Sequence, residues 1–93
     1  MNLLVADDHT LFRDGLATLL EAAGFAVVGQ VGLGHAAVSQ ALALRPDVVL
    51  VDTVMADMSG REGLRQIRAQ WPEAQVVILT DAEDDAELLD VVD

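Results

Sequence analysis

A three-layer α/β fold, with a parallel sheet wound on both faces by helices, is what this sequence predicts. Four apolar runs of strand length, Asn2–Ala6, Phe25–Val28, Val48–Val51 and Gln75–Leu79, are separated by stretches with helical spacing. Each run is continuously apolar rather than alternating, as expected of strands covered on both faces. The composition agrees: 53% of residues are hydrophobic but only 3% aromatic, so a core of Ala, Val and Leu must pack between layers.

Asn2–Ala6 is too short for a helix and ends abruptly in Asp7-Asp8. Thr10–Ala23 follows as a helix, with Leu11, Phe12, Leu16, Leu19 and Leu20 expected on one face and Gly24 placed to end it in a left-handed turn. Phe25–Val28 is the second strand, and Gly32 and Gly34 mark the loop before a helix from His35 to Leu44, stopped by Arg45-Pro46. Val48–Val51 then runs straight into Asp52. Beyond the loop Thr53–Ser59, a third helix spans Gly60–Gln70 and is closed by Trp71-Pro72, and Gln75–Leu79 forms the fourth strand, ending in Thr80. Asp84–Val92 reads as the start of a fourth helix. With 93 residues and short connections, the chain is expected to be one domain, residues 1–93.

Charge and composition narrow the chemistry. Sixteen acids against five arginines give a net charge of −11, which opposes direct contact with a nucleic-acid backbone. Most of those acids read as solvated surface. No apolar run reaches membrane-spanning length and no basic segment precedes the first strand, so the expected location is cytoplasmic. With no cysteine, thiolate metal sites and a Cys nucleophile are excluded.

Asp7, Asp8, Asp52 and Thr80 all lie just past the carboxyl ends of expected strands, the edge at which doubly wound sheets bind ligands. If the strand order is flavodoxin-like, 2-1-3-4, the first and third strands are neighbours and the three carboxylates converge. At ~4 Å and an effective dielectric of about 20, each pair of charges costs on the order of 4 kcal/mol. Either one acid is protonated, with its pKa raised, or a hard divalent cation sits among them; oxygen donors suit Mg²⁺. Singly, each Asp has a bland role at a helix start or strand end. Together, with a hydroxyl on the next strand end, they point to a site.

The motifs carry a family resemblance. Asp7-Asp8-His9-Thr10-Leu11-Phe12-Arg13-Asp14-Gly15-Leu16 resembles the opening of receiver domains in the NarL/FixJ (LuxR-type) response regulators of two-component systems, and Asp47–Asp52, Met55, Met58-Ser59-Gly60 and Val77–Thr80 match the later signatures in order and spacing. The resemblance implies a receiver that accepts a phosphoryl group from a sensor histidine kinase on Asp52. It also implies that Asp7 or Asp8, with Asp52 and the Val54 carbonyl, binds Mg²⁺, and that Thr80 is the switch hydroxyl. The natural output would be transcriptional, through a helix-turn-helix domain absent from this sequence. The domain would be regulatory rather than an enzyme, at most autocatalysing its own phosphorylation. His9 is assigned no catalytic role, Arg13 is expected to pair with nearby acids on the helix surface, and Met55 and Met58 read as loop packing.

Two departures from the family pattern, and two competing classes, bear on this. Ala56 replaces the family's usual proline, which should leave the loop after Asp52 less rigid. Val54 stands where haloacid-dehalogenase-type phosphotransferases carry a second Asp, which argues against that class; no glycine-rich loop follows the first strand to support nucleotide or flavin binding. Finally, family members continue through a fifth strand bearing a lysine, whereas this sequence stops at Asp93 and has no lysine. A receiver with the fifth strand missing would expose the Val76–Leu79 edge and one face of the first helix, inviting two copies to associate through either. A phosphorylation-incompetent receiver serving only as a protein-binding or dimerisation module stands as the alternative.

Overall fold

The computed structural model describes residues 1–79 and the backbone of residues 89–92. The elements are β1 (Asn2–Ala6), α1 (Thr10–Ala22), β2 (Ala26–Val31), α2 (Gly34–Leu44), β3 (Val48–Asp52), α3 (Gly60–Gln70), β4 (Val76–Leu79) and β5 (Leu89–Val92). They form one sheet of order β2-β1-β3-β4-β5, in which the first four strands are mutually parallel. The expected 2-1-3-4 core of the flavodoxin-like arrangement is therefore present.

Alternation along the strands assigns the layers. Leu4, Ala6, Val49, Val51, Val76 and Ile78 are fully buried in one cluster with Ala37 and Ala41 of α2 and Ile67 of α3. Leu3 and Val5 point the other way, toward the face covered by α1, where Ala17 is the buried helical residue. The small residues Ala37 and Ala41 let α2 lie close to β1, which is how a core with few aromatics reaches interior packing density.

The termini of the helices explain where each stops. Gly24, at φ 100°, closes α1: its N–H donates to the Glu21 carbonyl and that of Phe25 to Leu20, the paired bonds of a Schellman cap. Ser59 caps α3 by accepting the Glu62 N–H at 3.1 Å. Arg45 ends α2 at φ 45° and lays its guanidinium over the Trp71 ring at 5.0 Å.

Three expectations are corrected. The second strand runs three residues past Val28, because Gly29, Gln30 and Val31 continue to pair with Leu4, Val5 and Ala6 beyond a bulge; a polar and a small residue interrupt its apolar run. The apolar face of α1 is also placed differently: Leu16, Ala17 and Leu20 turn inward, whereas Leu11, Phe12 and Leu19 are 89%, 54% and 70% exposed. A single helix over β1 and β2 has sheet beneath only part of its broad apolar arc.

The third correction concerns the edge. Leu89–Val92, expected to be helical, is an antiparallel strand with Val76 opposite Val92 and Leu79 opposite Leu89. The β4 edge offered for self-association is thus already paired, by a strand that runs antiparallel to the other four and carries no lysine. The β4 backbone presents a row of groups that needs partners, and Val91 and Val92 favour extended structure. A connection as short as residues 80–88 suits an antiparallel return better than a parallel crossover. The remainder of the expected fourth helix, from Asp84, lies outside the described residues. Among the described residues, no helix is long and apolar enough to cross a membrane.

Two glycines test the packing. A Cβ on Gly60 would lie 2.3 Å from the Asp52 carbonyl oxygen, whereas one on Gly15 would meet nothing within 4 Å. Gly60→Ala is expected to destabilise the domain by roughly 1–3 kcal/mol and Gly15→Ala to stabilise it by up to about 1 kcal/mol. Denaturant unfolding of both variants checks the contrast; similar effects at the two positions would contradict it.

Candidate metal and phosphoryl site

Parallel pairing of β1 with β3 sets Ala6 opposite Val51, so the next residues, Asp7 and Asp52, leave the sheet side by side. One ligand atom from each of Asp7, Asp8, His9 and Asp52 lies within 4.8 Å of the others. The three expected acids are therefore brought together. Asp7 is buried, with its N–H donating to the Val31 carbonyl at 3.0 Å. Asp52 is mostly buried and Asp8 is the most open of the three, their side chains being 14% and 30% exposed.

His9 was not expected in this group. Its N–H donates to Asp7 Oδ1 at 2.8 Å, and its ring Nδ1 lies 3.2 Å from Asp7 Oδ1, 3.2 Å from Asp8 Oδ1 and 3.8 Å from Asp52 Oδ2. The hydrogen bond to Asp7, reinforced by the charges of Asp8 and Asp7, raises its pKa, so the imidazolium is favoured as a counter-charge. The signal was local: a histidine directly after two acids at a helix start. Arg13 also differs from expectation. Its Nη1 donates to the Asp7 main-chain carbonyl at 3.0 Å rather than to a carboxylate, bracing the end of β1.

The loop after Asp52 is tightly determined. The Thr53 N–H donates to both Asp52 Oδ1 at 2.8 Å and the Leu79 carbonyl at 3.0 Å, and the Thr53 hydroxyl also donates to Leu79. Gly60 N–H returns to the Thr53 carbonyl at 2.7 Å and Met55 N–H to Met58 at 3.0 Å, closing residues 53–60 into a compact turn. Met55 is buried and Met58 packs on Gly34, as expected of loop packing. Val54 lies in this turn with its side chain exposed. Thr80 lies outside the described residues.

Burial raises the Asp52 carboxyl above its ordinary value and the neighbouring charge of Asp7 adds to the shift, partly opposed by the Thr53 N–H. An all-oxygen set of carboxylates in mutual repulsion is suited to a hard divalent cation. A carboxylate in such a place has the chemistry to act as a nucleophile.

Comparison with known proteins agrees with this geometry. Residues 3–93 match the model of the response regulator receiver domain family. The response regulator GacA of Pseudomonas aeruginosa is 38% identical over 86 residues, covering 91% of this chain and 40% of that protein. The transcriptional regulatory protein LiaR of Bacillus subtilis is 36% identical over 94 residues, covering 100% of this chain and 44% of that protein. The chain thus spans less than half the length of these relatives. Among solved structures, the signal receiver domain of the response regulator NarL from Mycobacterium tuberculosis superposes with a TM-score of 0.83 at 32% identity, over 91% of this chain and 69% of that one.

The raised Asp52 pKa carries a stability consequence. A carboxyl whose folded pKa lies above its unfolded value of 3.8 binds its proton more tightly when folded, so its contribution is greatest at low pH and is lost as pH rises through the raised value. Asp52→Asn, measured without divalent cations, is expected to raise Tm at pH 7 by an amount on the order of a few degrees, with the gain shrinking toward pH 4. A fall in Tm at neutral pH, or a gain that grows on acidification, would contradict this.

Proposed function

The chain belongs to the response regulator receiver domain family, and from that premise we propose that it is a two-component phosphoacceptor whose Asp52 takes a phosphoryl group from a sensor histidine kinase. The convergence of Asp7, Asp8 and Asp52 carries this reading. An Asp52 carboxylate oxygen attacks the phosphorus of the donor phosphohistidine. The P–N bond breaks, its electron pair stays with the imidazole nitrogen, and an aspartyl acyl phosphate forms.

The carboxylates of Asp7, Asp8 and Asp52 fit Mg²⁺, which they would hold together with the Val54 carbonyl that the family resemblance adds, and which would supply charge neutralisation on the phosphoryl oxygens. The chain's own groups do the rest. Thr53 N–H fixes the Asp52 rotamer by binding Oδ1, leaving Oδ2 directed toward His9 and the other acids. Arg13 holds the Asp7 carbonyl and so the direction of the chain entering Asp8. Thr80, the residue after Leu79 in sequence, is the proposed switch hydroxyl.

In this reading residues 1–93 are a cytoplasmic receiver whose state is read out by a transcriptional, DNA-binding segment outside the chain, a reading supported by the likeness to LiaR, a transcriptional regulatory protein. The net charge of −11 leaves the chain itself a poor partner for nucleic acid.

Incubation with acetyl phosphate and Mg²⁺, followed by intact-mass measurement, tests the assignment. One added phosphoryl group, absent in Asp52→Ala and absent when the cation is chelated, is the expected result. No added mass in the folded wild-type chain would instead leave a protein-binding receiver that does not accept phosphate.

A further inference from the structure

The loop carrying Val54 is attached to α2 by one acid. Asp57 Oδ1 accepts the Gly34 N–H at 2.7 Å and Oδ2 accepts the His35 N–H at 2.9 Å, while the His35 ring Nδ1 also contacts Oδ2. These are the first two residues of α2, more than 20 positions away in sequence, as the separations of 23 and 22 show. The helix itself supplies neither a side-chain cap at Leu33 nor an acid in its first turn. Asp57 therefore caps α2 from outside, satisfying two donors that would otherwise lack intrahelical partners. Held chiefly by the His35 N–H, its carboxyl sits well below the ordinary range, at about 2.

The contact is close along its length. A Cβ on Gly34 would fall 2.2 Å from Met58 Cγ, so the residue after Asp57 lies directly on the start of the helix. The other end of the loop is pinned to β4 through Thr53 and Leu79. Proline restricts a loop by its ring, and Ala56 has none; here a carboxylate bridging to α2 does the restricting.

We propose that Asp57 is a positioning residue for the reaction at Asp52, holding residues 53–59 against α2 and so keeping the main chain of Thr53 and Val54, which directly follows Asp52, in place beside the acidic cluster. This rests on the reading of the cluster as a Mg²⁺-assisted phosphoacceptor site. Groups that orient metal ligands from behind affect metal affinity about 10–100-fold.

The test titrates Mg²⁺ into the wild-type chain, Asp57→Ala and Asp57→Asn, following the Asp8 and Thr53 amide resonances, and separately measures the acetyl phosphate reaction rate against Mg²⁺ concentration. In Asp57→Ala the half-saturating Mg²⁺ concentration is expected to rise roughly tenfold, with the rate at saturation little changed. Asn, which keeps one acceptor oxygen, is expected to recover most of this, leaving about a threefold rise. Half-saturation equal to wild type in folded Asp57→Ala overturns the proposal, since a merely structural cap would lower Tm alone. If Asp57→Ala does not fold, Asp57→Asn decides by the same criterion. A wild-type chain that binds Mg²⁺ but gains no phosphoryl group overturns the phosphoacceptor reading, while the amide titration still decides the role of Asp57. A wild-type chain that binds no Mg²⁺ overturns both.

Discussion

Because β1 and β3 are hydrogen-bonded neighbours running in the same direction, with Ala6 beside Val51, the residues that follow them must leave the sheet at the same level and a strand spacing apart. Asp7 and Asp52 are those residues. Antiparallel pairing would have put them at opposite ends of the sheet, and an intervening strand would have separated them by two spacings. The parallel register in turn depends on the apolar layer beneath it, where Leu4, Ala6, Val49 and Val51 are packed under α2 and α3 with essentially no exposure. The site is thus a consequence of a buried sheet whose strand ends have no freedom to drift apart.

That rigidity holds an unfavourable arrangement in place. Three carboxylates at one edge repel each other, and burial of Asp52 compounds the penalty. The chain offsets it with short-range devices: the Thr53 N–H on Asp52, the Arg13 guanidinium at the Asp7 carbonyl, and the His9 ring lying among the acids. A cation bound among the three acids would relieve their repulsion and stabilise the fold by linkage, which ties the domain's stability to its proposed chemistry.

Much of this was legible in the sequence, for identifiable reasons. Val48–Val51 and Asn2–Ala6 are unbroken apolar runs that only a covered strand accommodates, and Gly24 and Trp71-Pro72 mark helix termini through local backbone chemistry. The three acids were found by their position after those runs, although periodicity alone did not supply the strand order, which came with the family resemblance. What escaped depended on partners distant in sequence. Gly29-Gln30-Val31 extends β2 only because β1 lies alongside, and Leu89–Val92 is a strand because the edge of β4 needs one. The orientation of α1 depended on how much sheet lies beneath it. Asp57 looked like one more surface acid, since nothing within its loop reveals that α2 begins without a cap of its own.

The central claim is that the acids after β1 and β3 form a single cation site. Replacing Mg²⁺ by Mn²⁺ at substoichiometric concentration and recording paramagnetic broadening of the backbone amides tests it directly. Selective loss of the Asp8, His9, Asp52 and Thr53 resonances, with Arg45 and Trp71 unaffected at the opposite edge of the sheet, is the predicted outcome. Broadening centred on acids elsewhere, or affecting Asp8 without Asp52, would contradict it.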